Sequence, residues 1–216
     1  MCHIFYFGHY KVLYNLEYGD NLSILKQEHS YYNLSMTILI LHAIESHAGA
    51  HWQQWLHDEL VKKGHTVIMP NLPDSDYPSR KVWLETVKDL VVDVDHSDLV
   101  IVGHSLGVVT ALDYLDQAPK PIKALVSVSG FADDYHAELN SYFLAERSVD
   151  FEKVNKNLQN AFVLFGDDDP YVPKKSLHLL ADNLHVKPKI YPNGGHLNTD
   201  AGYTKFDDLL EIITNL

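Results

Sequence analysis

The chain has 216 residues and a formal charge of −12, from 29 Asp plus Glu against 17 Lys plus Arg. That length suits one globular domain, and the acidic balance argues against a nucleic-acid binder, which would carry a basic stripe. A single cysteine, Cys2, permits neither an internal disulfide nor a thiolate metal cluster; no apolar run approaches the roughly 18 residues of a membrane span, so an unanchored cytoplasmic domain is expected.

Residues 1–35 stand apart, with six of the thirteen tyrosines (Tyr6, Tyr10, Tyr14, Tyr18, Tyr31, Tyr32) and no proline. The first four recur every four residues, the spacing of a helical stripe, while the terminal position suits a loosely ordered extension. At Ser35-Met36 the character changes abruptly, and the functional domain is expected to run from 36 to 216. From there strand-like runs rich in Val, Ile and Leu alternate with helix-like stretches. The predicted strands are Thr37–His42, His65–Met69, Leu99–Gly103, Ala124–Ser129, Ala161–Phe165 and Lys187–Tyr191. They are continuously apolar, as expected for strands covered on both faces. The predicted helices are His51–Lys63, Lys81–Val92, Leu106–Gln117, Lys174–Asn183 and Thr204–Leu216. Strands alternating with helices imply right-handed crossovers and a mainly parallel α/β sheet.

The strongest chemical signal is Gly103-His104-Ser105-Leu106-Gly107, placed between the buried strand ending at Val102 and the helix beginning at Val108. A serine on so sharp a strand-to-helix turn presents its hydroxyl to solvent. A hydroxyl attacks only when a base removes its proton, and of fourteen histidines His196 is the candidate, because it follows Asn193-Gly194-Gly195 directly after the last strand. His104 suits packing or the edge of a pocket. The base needs an acid, and Asp167-Asp168-Asp169 leaves the fifth strand in the chain order Ser, Asp, His. Asp169 is preferred, with Asp168 second. Negative charge developing on a substrate carbonyl oxygen calls for two backbone donors: the N–H of Leu106, and one from the turn after the first strand, Ile44 first and Ala43 next.

These features, with His42-Ala43, His51-Trp52, Trp55-Leu56, Pro70, Pro73, Trp83, Asp169-Pro170 and Gly195-His196, resemble the small serine hydrolases of the α/β-hydrolase superfamily related to retinoblastoma-binding protein nine. The resemblance covers nearly all of residues 36–216. It implies a compact six-stranded sheet of order 2-1-3-4-5-6 with helices on both faces. It also implies a triad of Ser105, Asp169 and His196, and the expected reaction is cleavage of a small-molecule carboxylic ester, or of a thioester or amide, which the same machinery serves. Because a histidine base must be neutral, activity is expected to fall below about pH 6 to 7.

Other readings are weaker. His47 and His51 form an i, i+4 pair, but no third ligand stands at a suitable spacing, so no metal is expected. No phosphate-loop or Gly-x-Gly-x-x-Gly motif occurs, so no cofactor is expected. Trp52, Trp55 and Trp83 read as core. The segment Phe131–Asp150 is either a short lid, with Tyr142 and Phe143 lining an acyl pocket, or one amphipathic helix. A non-catalytic interaction module on the same fold is the rival function, since fold does not dictate function.

Overall fold

The computed structural model describes residues 2–7, 10–15 and 35–216. The chain separates into two compact units, Met1–Leu34 and Ser35–Leu216. In the first, Cys2–Phe7 pairs antiparallel with Tyr10–Asn15. Tyr6, Tyr10 and Tyr14 therefore lie on strands, which corrects the helical stripe: aromatic and β-branched residues crowd this stretch and favour extended backbone. The expectation of loose order in the remainder of that segment (residues 1, 8–9 and 16–34) lies outside the described residues.

In the second unit the apolar runs become six strands: β1 (Thr37–Leu41), β2 (Thr66–Ile68), β3 (Leu99–His104), β4 (Ile122–Val128), β5 (Leu158–Gly166) and β6 (Lys189–Tyr191). All pair in parallel, in the order β2-β1-β3-β4-β5-β6, which is the predicted 2-1-3-4-5-6. Successive side chains of a strand point to opposite faces, so one sheet builds two cores. Leu39, Leu41, Ile101, Leu125 and Phe165 face one side, with Trp83 and Val87 of α2 (Arg80–Leu90) and with α3 (Leu106–Gln117). Ile38, Ile40, Val100, Val102, Val126 and Leu164 face the other. There they meet Trp52, the residue before α1 (Gln53–Lys62), and Leu209 and Ile213 of the C-terminal helix (Asp207–Thr214). No helix among the described residues is long and apolar enough to cross a membrane.

The segment after β4 is not one amphipathic helix. It runs irregularly to the short α4 (Ser141–Ala145) and then α5 (Phe151–Lys156). What holds it is Arg80, 2% exposed, at the start of α2. Its Nε and Nη2 donate to the two carboxylate oxygens of the fully buried Asp113 on α3 at 2.6 and 2.9 Å. Its Nη1 donates to the carbonyls of Phe143, Leu144 and Arg147. The carbonyls of Phe143 and Leu144 end α4 and have no helical partner, and that of Arg147 lies just beyond it, so one guanidinium both closes the helix and ties the segment to the body. A planar fork that stays charged is suited to such a bidentate buried contact.

Candidate active site

The carboxyl edge of the sheet is stepped by backbone bonds that continue past the strands. Ser105 N–H donates to Val128 O (2.9 Å), Ser129 N–H to Leu164 O (2.8 Å) and Asp167 N–H to Tyr191 O (3.1 Å). The chain then turns sharply at Ser105, which is held at φ 53°, ψ −120°. A non-glycine residue there is strained, and the following glycine explains how the turn is tolerated. A Cβ on Gly107 would lie 2.6 Å from His42 O and 2.7 Å from Leu41 O, so only glycine lets α3 start against the end of β1. Leu106 opens α3, and its N–H belongs to the first turn, where no preceding helical carbonyl is available. Ser105 is nearly buried, and its Oγ has no hydrogen-bond partner among the described residues.

The three consecutive aspartates divide two jobs between them. Asp169 Oδ2 accepts from Nδ1 of His196 at 2.8 Å, and Asp169 Oδ1 accepts the N–H groups of Tyr171 (2.9 Å) and Val172 (3.0 Å). Asp168 Oδ1 accepts the N–H of Gly195 at 2.7 Å, and Asp167 Oδ1 that of Asn193 at 2.8 Å. Of the two aspartates weighed as partner of His196, Asp169 is the one in contact. Asp168 and Asp167 pin the loop that carries the histidine. The two loops also touch backbone to backbone: a Cβ on Gly166 would sit 2.6 Å from Gly195 N. His196 and Asp169 are 8% and 1% exposed, so their bond is shielded from water. The histidine loop is fixed on its other side by His104 Nε2–H, which donates to His196 O at 3.0 Å, and by the Trp52 indole N–H, which donates to Leu197 O at 2.9 Å.

The turn after β1 is set by His42, whose role the sequence left open. Its Nε2 accepts the N–H of Leu72 at 2.8 Å, so the ring proton sits on Nδ1 and donates to Ala43 O at 2.7 Å. All peptide bonds here are trans, and in a trans peptide the carbonyl and the following N–H point in opposite directions. Holding Ala43 O against the imidazole therefore turns the Ile44 N–H away from it. Next door, Glu45 N–H donates to Ser75 O at 2.8 Å, which joins this turn to the loop after β2. Burial pushes the His42 pKa below the ordinary imidazole value, outweighing the Ala43 bond, and the neutral ring is the one that both bonds require.

The same cause acts on two other imidazoles. Burial, and then the neighbouring His196, hold His104 well below the ordinary value, and His51 is lowered by burial and then by His196. Ring centroids of His104 lie 5.0 Å from His196 and 5.4 Å from His51. His51 Nδ1 accepts the N–H of Thr199 at 3.2 Å.

The structure thus gathers Ser105, Leu106, Ile44, Asp169 and His196 on loops at one edge of the sheet. Two proposed pocket residues are corrected. Phe143 is completely buried, edge-on to Trp83 at 5.7 Å and beneath Arg80, so it is core. His104 is likewise fully buried, because its side chain follows Val100 and Val102 into the second core. Ala43 is nearly buried within its turn. Tyr142 is half-buried, its hydroxyl enclosed, and it stacks on Tyr77 at 4.1 Å, of which 71% is exposed. The sequence reading did not single out Tyr171, 58% exposed, which stands edge-on to His196 at 5.1 Å. Its position two residues after Asp169 was the available signal.

A family model described as serine hydrolase matches residues 38–215. YdeN of Bacillus subtilis (strain 168) is 26% identical over 184 residues, which cover 84% of this chain and 96% of that protein. Serine hydrolase RBBP9 of Rattus norvegicus is 26% identical over 171 residues, covering 76% of this chain and 86% of the relative. The crystal structure of the B. subtilis ydeN gene product superposes with a TM-score of 0.77 at 24% identity, over 84% of this chain and 98% of that one.

Proposed function

The chain belongs to the serine hydrolase family, and on that premise we propose that it cleaves a small carboxylic ester, or the corresponding thioester or amide, through an acyl-enzyme formed on Ser105. The observation that carries the reading is the shielded 2.8 Å bond between His196 Nδ1 and Asp169 Oδ2. It assigns the ring proton to Nδ1 and leaves the Nε2 lone pair free to act as base. Nε2 removes the Ser105 hydroxyl proton as Oγ bonds to the carbonyl carbon. The carbonyl π electrons move to oxygen, where the N–H groups of Leu106 and Ile44 receive the charge. When the tetrahedral intermediate collapses, His196 hands its proton to the departing alcohol, thiol or amine. Water, deprotonated by the same nitrogen, then releases the acid and restores Ser105. Asp169 keeps the ring in this tautomer and stabilises the imidazolium.

Only a five-residue helix, fixed by Arg80, lies over this region of the chain between β4 and α5, which favours short acyl groups. Tyr142 is the remaining candidate for the wall of the acyl site. The test is labelling by a fluorophosphonate together with turnover of a short-chain nitrophenyl ester. Wild type is expected to do both, and Ser105→Ala to lose the label and several orders of magnitude in kcat. A folded wild-type chain that takes up no label and turns over no ester would overturn the reading in favour of a non-catalytic interaction module.

A further inference from the structure

All six strands are parallel, so the loops that follow them share the edge that carries Ser105, Asp169 and His196. The segments 42–52, 69–79, 129–140, 167–173 and 192–206 hold ten carboxylates and a single cation, Lys205. At the opposite edge, segments 63–65, 91–98, 118–121, 146–157 and 184–188 hold six carboxylates and six Lys or Arg. The charge of the chain is therefore concentrated at one end of the sheet.

Pairing sharpens this. Every ion pair of Lys or Arg among the described residues uses a carboxylate outside those ten: Glu59, Glu85, Asp113, Asp116, Asp150 or Asp208. Asp167, Asp168 and Asp169 are engaged by the histidine loop, and Asp133 and Asp134 accept from Ser176 and Ser141. Those bonds fix the carboxylates without cancelling their charge by a Lys or Arg. Glu45, Asp74, Asp76, Glu138 and Asp200 are exposed, and none of their carboxylates makes a hydrogen bond or ion pair among the described residues. Two largely exposed aromatic rings, Tyr77 and Tyr171, stand on the same loops, Tyr171 against His196 itself. Unbalanced carboxylates beside open aromatic faces attract cations and repel anions.

We propose that this site selects substrates bearing a positive charge, an ammonium or similar cation, over neutral ones, and disfavours those bearing a carboxylate. The inference rests on the reading of Ser105 as nucleophile and deepens it. The experiment measures kcat/KM of the full-length chain for three nitrophenyl esters of one acyl length, whose far end carries a trimethylammonium, a methyl or a carboxylate group. At about 10 mM ionic strength the Debye length is about 30 Å, and the order cation, neutral, anion is expected, with about tenfold between the extremes. At 0.5 M salt the spread should shrink to about twofold.

The variant Asp76→Asn/Glu138→Gln/Asp200→Asn removes three of these charges from three different loops. It should keep the neutral-ester rate and lose at least half of the preference. Equal kcat/KM for the three esters at low salt, or a preference indifferent to both salt and the triple variant, would overturn the proposal while leaving Ser105-dependent hydrolysis of the neutral ester intact. Neutral-ester hydrolysis that survives Ser105→Ala would overturn the nucleophile assignment instead, and the substrate inference with it.

Discussion

Replacing His42 with Phe separates the two jobs of that side chain. A planar aromatic ring, slightly larger than the imidazole, keeps the edge contact with Trp83, at 5.7 Å between centroids. Both hydrogen bonds go, to Leu72 N–H at 2.8 Å and to Ala43 O at 2.7 Å. A buried polar group left without its partner costs about 1–3 kcal/mol. With two groups orphaned, we expect a stability loss of about 2–6 kcal/mol, read as a lower urea midpoint with an unchanged slope. The functional effect is separate. Once Ala43 O is released, the Ala43–Ile44 peptide is free to rotate, and the Ile44 N–H loses the orientation that the proposed mechanism requires of the second oxyanion donor. Losing one such donor costs about 10²–10³ in kcat, and KM should stay close to wild type because the donor acts on the transition state. Steady-state kinetics on a short-chain nitrophenyl ester, well below the unfolding transition, provide the assay. A folded His42→Phe chain that loses the expected stability but keeps kcat within about threefold of wild type would show that the imidazole does not set this donor.

Asp169→Asn should lower kcat by about 10⁴, since the amide imposes the wrong histidine tautomer. Asp168→Asn keeps an oxygen to accept the Gly195 N–H and should stay within about tenfold of wild type, so equal losses in the two variants would refute the assignment of the acid. Arg80→Met removes both hydrogen bonds to the buried Asp113 and leaves it only the longer contact with Arg147 Nε at 3.6 Å, and the expected cost is about 3 kcal/mol in urea unfolding; a loss under 1 kcal/mol would refute the clamp. Stability should fall in mild acid. Burial holds the folded pKa values of His104 and His42 below the ordinary 6.5, so the unfolded chain binds protons that the folded chain excludes. The stability is complete above about pH 6.5 and declines as pH drops through the window down to the folded values, by at most about 1.4 kcal/mol per pH unit for each residue. A urea midpoint at pH 5.5 equal to or above that at pH 7.5 would contradict this.

The regular elements were legible wherever one local signal dominated. Lys174–Asn183 and Leu106–Gln117 form helices over the predicted ranges, because apolar spacing, the preceding Pro173 and the glycine turn all agree. β5 was read too short: its first third, Leu158–Asn160, carries polar residues and is strand only because it pairs with β4. The segment after β4 had no dominant period, and its path depends on one guanidinium. A signal existed in Asp113, a charge inside the apolar helix Leu106–Leu115, but nothing in the linear order pointed to Arg80 as its partner, 33 residues away. Tyr6, Tyr10 and Tyr14 show the converse, a helical spacing overruled by strand pairing.

The site divides along the same line. Gly103 to Gly107, the chain order Ser, Asp, His and the alternation of strands and helices are local or sequential properties; with the other shared motifs they carried the resemblance to the family, and it was the resemblance that implied the strand order. Which of three adjacent carboxylates meets His196, where the His42 proton sits and therefore which way the Ile44 N–H points are matters of direction. They are set by hydrogen bonds between loops 26 to 30 residues apart in sequence. So is the gathering of scattered acids at one edge, which parallel strands enforce by carrying every following loop to the same end. Residue type and spacing carry chemistry along the chain; orientation and proximity exist only after the sheet has closed and packed.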